Sequence, residues 1–585
     1  MKRRRVFLSA FALVCLGAGC SGTTTGPGPG GGGGGGKGGD DVVLPPITRD
    51  SLKRNPAHEL KCDNPDDPSL GDTPLVRLTT PEYHNTIRDL IAPLEMPIAK
   101  RPTLPLETPF EGFTNHAQGQ TPSTELVESL ETGSQDVGAI VSAGLGKLEI
   151  VGCPPSGASG EKACFDAFVD TFAQRAFRRP LDGGERERLG AYYSSMRATY
   201  DFNDTMRLVV NGIVQTPQFL YRVEYGDGSG SKIKLTGYEV ASRLSYLFWD
   251  SMPDADLFAA AADGVLDTPS GVEAQVLRLV KDTRSASALG QFGREWLDIG
   301  RIESFAEDKD VAVFPGFDKT VAADMKAGLG MYIDETLLGE GGGLKTLLTS
   351  NVGFVSAKTA AIYGVGAPAG AGLQRVELNA AERKGLATQP AILAGLAARS
   401  EHSPIKRGVW MMSHIMCQPA PPPPVDLNTK EPAPAPGSNL TKRERTVMEH
   451  EAVALCKSCH VQIDGIGFGF EGYDAVGKYR TTEKVADGSM KAVDTSAVIK
   501  ETGDMDGDYA SGIEMIDAIA RSEQVAQCFV EHFYRYALSR SVVDEDGCNI
   551  ARITDQTVAN QGDFAGMLNG LVKTDTFRYR TPFER

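Results

Sequence analysis

After its signal-like first 20 residues, the 585-residue chain has no apolar run long enough to cross a bilayer, which takes about 20 residues in helical form. It holds no G-x-S-x-G, no H-E-x-x-H and no Walker loop, so the common hydrolase and nucleotide-dependent chemistries have no support in it. Basic charge is in the minority, with a formal net charge of −16. An acidic body argues against nucleic acid and against anionic lipid as partners. Sustained apolar–polar alternation is scarce, which argues against an all-β fold. At 41% apolar and 23% charged, the composition is otherwise that of ordinary globular protein.

What is present begins at the N-terminus. Lys2, Arg3, Arg4 and Arg5 precede an apolar stretch, Val6 to Leu16, that is too short to span a membrane. Gly17-Ala18-Gly19-Cys20 follows. Small residues leading into a cysteine resemble the lipobox of bacterial lipoproteins, although Leu16 stands one place earlier than the usual leucine. That resemblance implies lipidation of Cys20; an ordinary secretory cut nearby is the alternative. Ser21 to Asp40 is almost all Gly, Thr, Pro and Ser, with an unbroken Gly30 to Gly36. Such a segment behaves as a flexible leash with an r.m.s. span of roughly 25 Å. Ser21 stands where an Asp would mark inner-membrane retention in many such lipoproteins. The implied address is therefore outside the cytoplasm, at the outer membrane, with membrane contact through the lipid anchor only.

The remaining chain of about 545 residues suffices for three to five domains. Thr79 or Thr80 with Pro81 predicts a helix start, and Tyr83, Ile87 and Leu90 continue it at helical spacing. A second helix is expected to end at Phe177, before Arg178-Arg179-Pro180. Asp182 with Glu185, and Thr236 with Glu239, read as capping boxes. Short strands are expected near 350–376 and 478–500. A proline run from Pro419 to Pro436 reads as a stiff spacer. The expected fold is mainly α: a multi-domain helical protein with a cytochrome-c-like segment, preceded by a signal peptide (1–20) and a disordered Gly-rich linker (21–60). The expected divisions are an N-terminal helical domain 61–150, a small helical domain 160–226, a central helical domain 233–365, a domain 380–482 with the proline linker and the C-x-x-C-H, and a C-terminal helical domain 490–575.

The sharpest signal is Cys456-Lys457-Ser458-Cys459-His460, the attachment pattern of c-type haem. One helical step lets both sulfurs reach the two vinyl groups on one porphyrin edge, and His460 becomes the proximal iron ligand. Rival readings are a thioredoxin-type redox pair, a Cys456–Cys459 disulfide or half of a zinc site. No second Cys or His pair at zinc spacing and no strand–helix context is obvious nearby. For the sixth ligand, Met490, Met505 and His450 are candidates, and none is distinguished; five-coordinate iron would favour redox catalysis over simple electron carriage. Apart from Cys15, Cys20 and the motif pair, six cysteines remain, an even number that suggests disulfides in an oxidising compartment. Six cysteines allow 15 connectivities that the sequence does not choose among; Cys153–Cys164, closing a Pro/Gly/Ser-rich loop, and Cys528–Cys548, clipping two helical segments, are candidate pairs. Asp504, Asp506 and Asp508 imitate the start of a calcium loop but lack its Gly and its final Glu. Arg175, Arg178 and Arg179 read as an anion site or, more simply, a solvated helix end.

After His460 come Ile463-Asp464, Ile466-Gly467-Phe468, Phe470-Glu471, Tyr473-Asp474, Gly477 and Arg480. With Arg77 to Tyr83, Arg175 to Leu181 through Phe219 to Arg222, Leu235 to Trp249, Ser403 to Gly408 and Phe529 to Arg540, this resembles exported bacterial multi-domain proteins of a planctomycete-type, cytochrome-associated family. These are built of consecutive domains of unknown function numbered 1587, 1595, 1592, 1588 and 1585. The chain departs from the pattern at Gly465, where the group usually has Pro, a change expected to weaken only a turn. The resemblance implies architecture and one covalent haem c, and little mechanism. Arg480 is the candidate partner for a haem propionate, Phe468 or Tyr473 for packing on the ring, and Glu471 and Asp474 for structural support. The expected function is a lipid-anchored haem-c protein in electron transfer or haem-dependent oxidoreduction with an unidentified redox or protein partner. The alternative is a surface binding or structural lipoprotein in which Cys456–Cys459 is a disulfide or a vestigial motif.

Overall fold

A computed structural model describes residues 47–306, 308–421, 434–451 and 454–582. The expected signal peptide with Cys20, the expected glycine-rich leash up to residue 46 and Pro422 to Ala433 of the proline run lie outside these residues. The protein is mainly helical, 55% helix against 7% strand. Among the described residues, no helix is long and apolar enough to cross a membrane.

The helix starts follow the capping chemistry in the sequence. Thr79 accepts from the Glu82 backbone N–H while Glu82 reaches back to Thr79, and helix Thr80–Ile91 follows with Pro81 in its first turn. The same reciprocal box, Asp182 with Glu185 and Thr236 with Glu239, opens helices Gly183–Arg197 and Gly237–Trp249. Helix Gln174–Phe177 stops where Arg178 takes a left-handed conformation. Arg178 is buried and donates to the carbonyls of Phe219, Gln218 and Tyr221 at 3.0, 2.7 and 2.6 Å. Arg179 pairs with Glu185 and Arg175 with the Asp89 carbonyl. These three arginines are neither an anion site nor a solvated helix end: they satisfy carbonyls and a carboxylate inside the fold.

Two hydrophobic clusters organise the body. One gathers residues between Leu78 and Met252, with helix Thr124–Gly144 laid along Phe202–Val214. The larger runs from Leu235 to Phe577 and also takes in Leu60 and Phe113. Phe292 sits at its centre, with Phe113, Trp296, Phe529, Phe533 and Phe564 around it at ring distances of 5.0–6.4 Å. Aromatic pairs of this kind add about 0.5–1.5 kcal/mol each beyond area burial. The described residues form one compact unit. The strands are short antiparallel pairs. Val76–Arg77 with Tyr221–Arg222, and Ile233–Lys234 with Tyr579–Arg580, tie distant parts of the chain. Val352–Val355 with Gln374–Glu377, Thr482–Lys484 with Met490–Ala492, and Ala497–Ile499 fall where short strands are expected, while the partner of the last, Gly507–Tyr509, lies beyond the expected region.

Three disulfides form among the described residues: Cys153–Cys164, as expected, Cys62–Cys548 and Cys417–Cys528. The expected Cys528–Cys548 pair does not. Cys528 lies near the start of helix Glu523–Leu538 and Cys548 at the start of the next helix, Gly547–Ala559. Ten residues of helix, about 15 Å, separate Cys528 from the end nearest Cys548. Each therefore reaches a different segment.

Candidate functional site

Cys456, Cys459 and His460 lie on one helix, Ala454–Gly467. Positions i, i+3 and i+4 share a helix face, so the two sulfurs and the imidazole project together. Both thiols are unpaired and half-buried, while the other six cysteines of the described chain are in disulfides. The Cys456–Cys459 disulfide reading therefore has no counterpart in the structure.

Asp464 stands one turn after His460 and is buried. Its Oδ1 lies 3.1 Å from His460 Nδ1, and its Oδ2 lies 2.5 Å from His450 Nδ1. A carboxylate accepts, so both rings donate from Nδ1, and the His460 Nε2 keeps its lone pair for a metal. Carboxylate–histidine pairing of this kind fixes the tautomer and raises ligand basicity. The donor set fits a covalently held c-type haem: two thiols and one oriented imidazole on one face. The rings of His450 and His460 are packed at 3.6 Å between centroids. His450 thus lies beside His460, with both rings held by Asp464. Met490 is exposed on a strand and Met505 is buried in the main core. The structure brings none of the three candidates opposite His460.

The helix is seated by backbone contact. A Cβ at Gly408 would meet the Ile463 carbonyl at 2.0 Å, and one at Gly467 would meet the Pro404 carbonyl at 2.1 Å. Only glycine at both places lets helices Pro404–Trp410 and Ala454–Gly467 approach so closely. Gly465 does not sit in a turn as expected. It lies inside the helix, where a Cβ would meet the Val498 carbonyl at 2.6 Å. Arg407, fully buried, donates to the carbonyls of Phe470, Asp474 and Tyr473 at 2.6, 2.9 and 3.0 Å. Burial pushes its guanidinium down to about 10, which leaves it charged at neutral pH.

Arg480 belongs to this support. Its Nη2 faces His402 Nδ1 at 3.1 Å and it pairs with Glu483 at 2.8 Å, while His402 Nε2 donates to Glu471 at 2.7 Å. Burial alone would raise the Glu471 carboxyl, but His402, Arg480 and Arg407 outweigh it and hold the group below the usual carboxylate range. His402, Glu471 and Glu483 bring three metal-type donors together, yet Arg480 lies among them and supplies the positive charge itself. The guanidinium read as a propionate partner is thus engaged in a buried network. Tyr473 donates to the Glu382 carbonyl and Phe468 lies under Arg443, 4.4 Å away. The post-motif residues form a folded brace for the haem-motif helix. Asp504 caps helix Glu523–Leu538 through Ser522 and the Glu523 backbone, and Asp506 takes up Thr502, so the calcium-loop likeness is a turn and a cap. The one signal in the sequence for the role of Asp464 is its i+4 spacing from His460. For His402 there was none.

Five domain families, each described as a protein of unknown function, match in series: DUF1587 over residues 77–141, DUF1595 over 164–224, DUF1592 over 235–365, DUF1588 over 383–483 and DUF1585 over 507–577. The chain belongs to this five-domain, cytochrome-associated series. Within the DUF1588 segment lie Arg407, the C-x-x-C-H helix and Arg480. No curated protein and no solved structure matches the chain.

Proposed function

We propose that the protein is an exported lipoprotein, anchored through Cys20 at the outer membrane, that carries one covalent haem c for electron transfer or haem-dependent oxidation beside a partner. One observation carries the reading. Cys456 and Cys459 are the unpaired thiols of a disulfide-bonded chain, and they share a helix face with an imidazole whose Nδ1 is held by a buried carboxylate. Three disulfides favour an oxidising compartment, where such attachment takes place. The haem would supply a one-electron redox centre. Cys456 and Cys459 would hold its edge, His460 would present Nε2 to the iron, and Asp464 would fix that ring's orientation. Arg407, His402 and Glu471 would keep the helix at its angle.

The test is an absorbance spectrum of the protein exported from cells with c-type haem maturation, with a pyridine haemochrome assay on the reduced sample. The thioether-linked haem band, lost in Cys456→Ser and shifted in His460→Ala, is the expected result. Colourless wild-type protein would overturn the reading and leave a surface binding protein in its place.

A further inference from the structure

A cleft of about 610 Å³ opens between residues 109–114, 291–301, Ser413, His414 and His532, with walls from four of the five family segments. Glu111 and Asp298 on its rim are engaged within the fold, with Arg535 and Arg301. Beside the C-x-x-C-H motif the position is different, because three metal-type donors converge there. His450, His460 and Asp464 each bring a ligand atom within 4.8 Å of the other two.

The sequence alone holds half of a zinc-type set, at Cys456, Cys459 and His460, with no second pair at zinc spacing. The fold brings in further donors from elsewhere. His450 lies on helix Lys442–Glu451, while His460 and Asp464 stand at i and i+4 on Ala454–Gly467, the spacing that puts two ligands on one helix face. The first of these helices is anchored away from the motif: Arg443 donates to the carbonyls of Ser496 and Asp494 at 2.7 and 3.1 Å, and Glu444 pairs with Lys491 at 2.8 Å. His450 is thus delivered to the motif by contacts made elsewhere.

The geometry is close to what a metal ion needs. Asp464 is buried, and one ring nitrogen faces each of its oxygens: Nδ1 of His450 at 2.5 Å and Nδ1 of His460 at 3.1 Å. The side chains of His450 and His460 keep 15% and 23% of their surface exposed, so the cluster is reached from solvent. Bonds of about 2.0–2.2 Å to a tetrahedral zinc ion place neighbouring ligand atoms about 3.3 Å apart. The nitrogen–oxygen separations must therefore open by less than about 1 Å to admit the ion. Each neutral ring then gives Nδ1 to the metal and carries its proton on Nε2, so a tautomer changes and no proton is lost. Two imidazoles and a carboxylate suit an ion of the zinc type, and three protein ligands leave a fourth position for water.

We propose that His450, His460 and Asp464 form a three-ligand site for a divalent transition metal ion. The proposed haem iron needs His460 with its proton on Nδ1, and this ion needs it on Nε2. The two exclude one another on that ring, so the site belongs to the haem-free chain. None of its ligands is a thiol, and it stands without the haem reading.

The experiment is calorimetric titration with zinc chloride of the full mature chain carrying Cys456→Ser and Cys459→Ser. That chain attaches no haem, so failure of this proposal and failure of the haem reading are read separately. One zinc per chain at micromolar Kd or tighter is expected, and cobalt(II) in its place should give the visible absorption of a four-coordinate ion. His450→Ala and Asp464→Asn, added singly, should each weaken zinc binding at least about ten-fold, since even the outer partners of metal ligands are worth about 10–100-fold. Should His450→Ala misfold, Asp464→Asn, which keeps the size of the side chain, decides. Absence of saturable binding overturns the proposal. So does binding that the variants keep at parental strength in chains with native near-ultraviolet dichroism, and so does zinc held by the parent but not by the serine chain, which would assign it to the thiols.

Discussion

Replacing Arg407 by Leu removes the donor on which the brace behind the C-x-x-C-H helix depends. Three carbonyls accept from Arg407 at 2.6–3.0 Å, with Leu393 further off at 3.5 Å. A hydrogen bond to a charged donor is worth about 1.5–3 kcal/mol, and a buried acceptor left unpaired costs about 1–3 kcal/mol. Set against this is the cost of keeping a charge in the core, visible in the guanidinium's descent to about 10. With three buried carbonyls left unpaired, the net loss after that offset is about 3–5 kcal/mol, a large share of the 5–15 kcal/mol that holds a typical native protein together. Arg407→Lys keeps charge without the planar fork and reaches fewer carbonyls, so it should recover only part of the loss. Because one transition is not assured in a chain this large, the assay is hydrogen exchange resolved by segment, alongside thermal unfolding. Protection should fall at residues 470–480, where Tyr473, Asp474, Gly477 and Arg480 use backbone hydrogen bonds, and less in helix Thr124–Gly144 of the other cluster. Unchanged protection at 470–480 with an unchanged unfolding temperature would refute the reasoning.

Three more outcomes are expected. In the haem-loaded chain, Asp464→Asn should raise the reduction potential by on the order of 60 mV, since about 1.4 kcal/mol of lost charge-assisted bonding corresponds to 59 mV for one electron. Intact attachment with an unmoved potential, read by spectroelectrochemistry, would show that the carboxylate does not act through His460. Haem-free protein should release two thiols to a chromogenic disulfide reagent without denaturant, and Cys459→Ser should release one; the loaded protein should release none. Asp250 is pushed up to about 8, chiefly by burial and then by Glu82 and Glu295. Its folded value lies above an unfolded value near 3.9, so stability is lost as pH rises from about 4 to about 8. Asp250→Asn should therefore be more stable than the parent at pH 8 and nearly equal to it at pH 4.5, by thermal unfolding at both; a pH-independent difference would contradict the assignment.

Local chemistry was readable in the sequence because it is local. Two capping boxes and the Thr79 cap each close over three residues, and Phe177 precedes its left-handed stop. The face shared by Cys456, Cys459 and His460 follows from helical spacing alone. What escaped has long sequence separation or many partners. Cys528 has five other cysteines as possible mates in the sequence, and only the antiparallel run of its helix against the next one, with Cys417 brought alongside, decides among them. Arg178 and Arg407 read as surface or motif residues because an arginine's usual place is outside. Nothing in a short window reports that several carbonyls will converge on it. Arg480 suited a propionate by type, but His402, 78 residues earlier, and Glu483 claim its fork. His402 has no local pattern at all.

The size of the body is the remaining physical question, because a haem needs far less protein to hold it. The aromatic cluster around Phe292 draws Phe113 from the first family segment and Phe529, Phe533 and Phe564 from the last onto the central one. Separate modules on linkers would not bury such a seam. The same seam carries the cleft: Phe113 and Trp296 line it, while His414 and His532 approach it from the fourth and fifth segments. The energy that fuses the modules therefore also fixes the geometry of the cleft's four walls, and Cys417–Cys528 adds a covalent tie over a separation of 111 residues at that point. A cross-link of that loop length contributes about 4–5 kcal/mol in the chain-entropy account. The C-x-x-C-H helix is clamped to the same element, since Gly408 and Arg407 sit in the helix that leads directly into His414 and Cys417. The wall at His414 and the seat of the C-x-x-C-H helix therefore share one short helical stretch, Pro404–Trp410 running into Met411–Ile415.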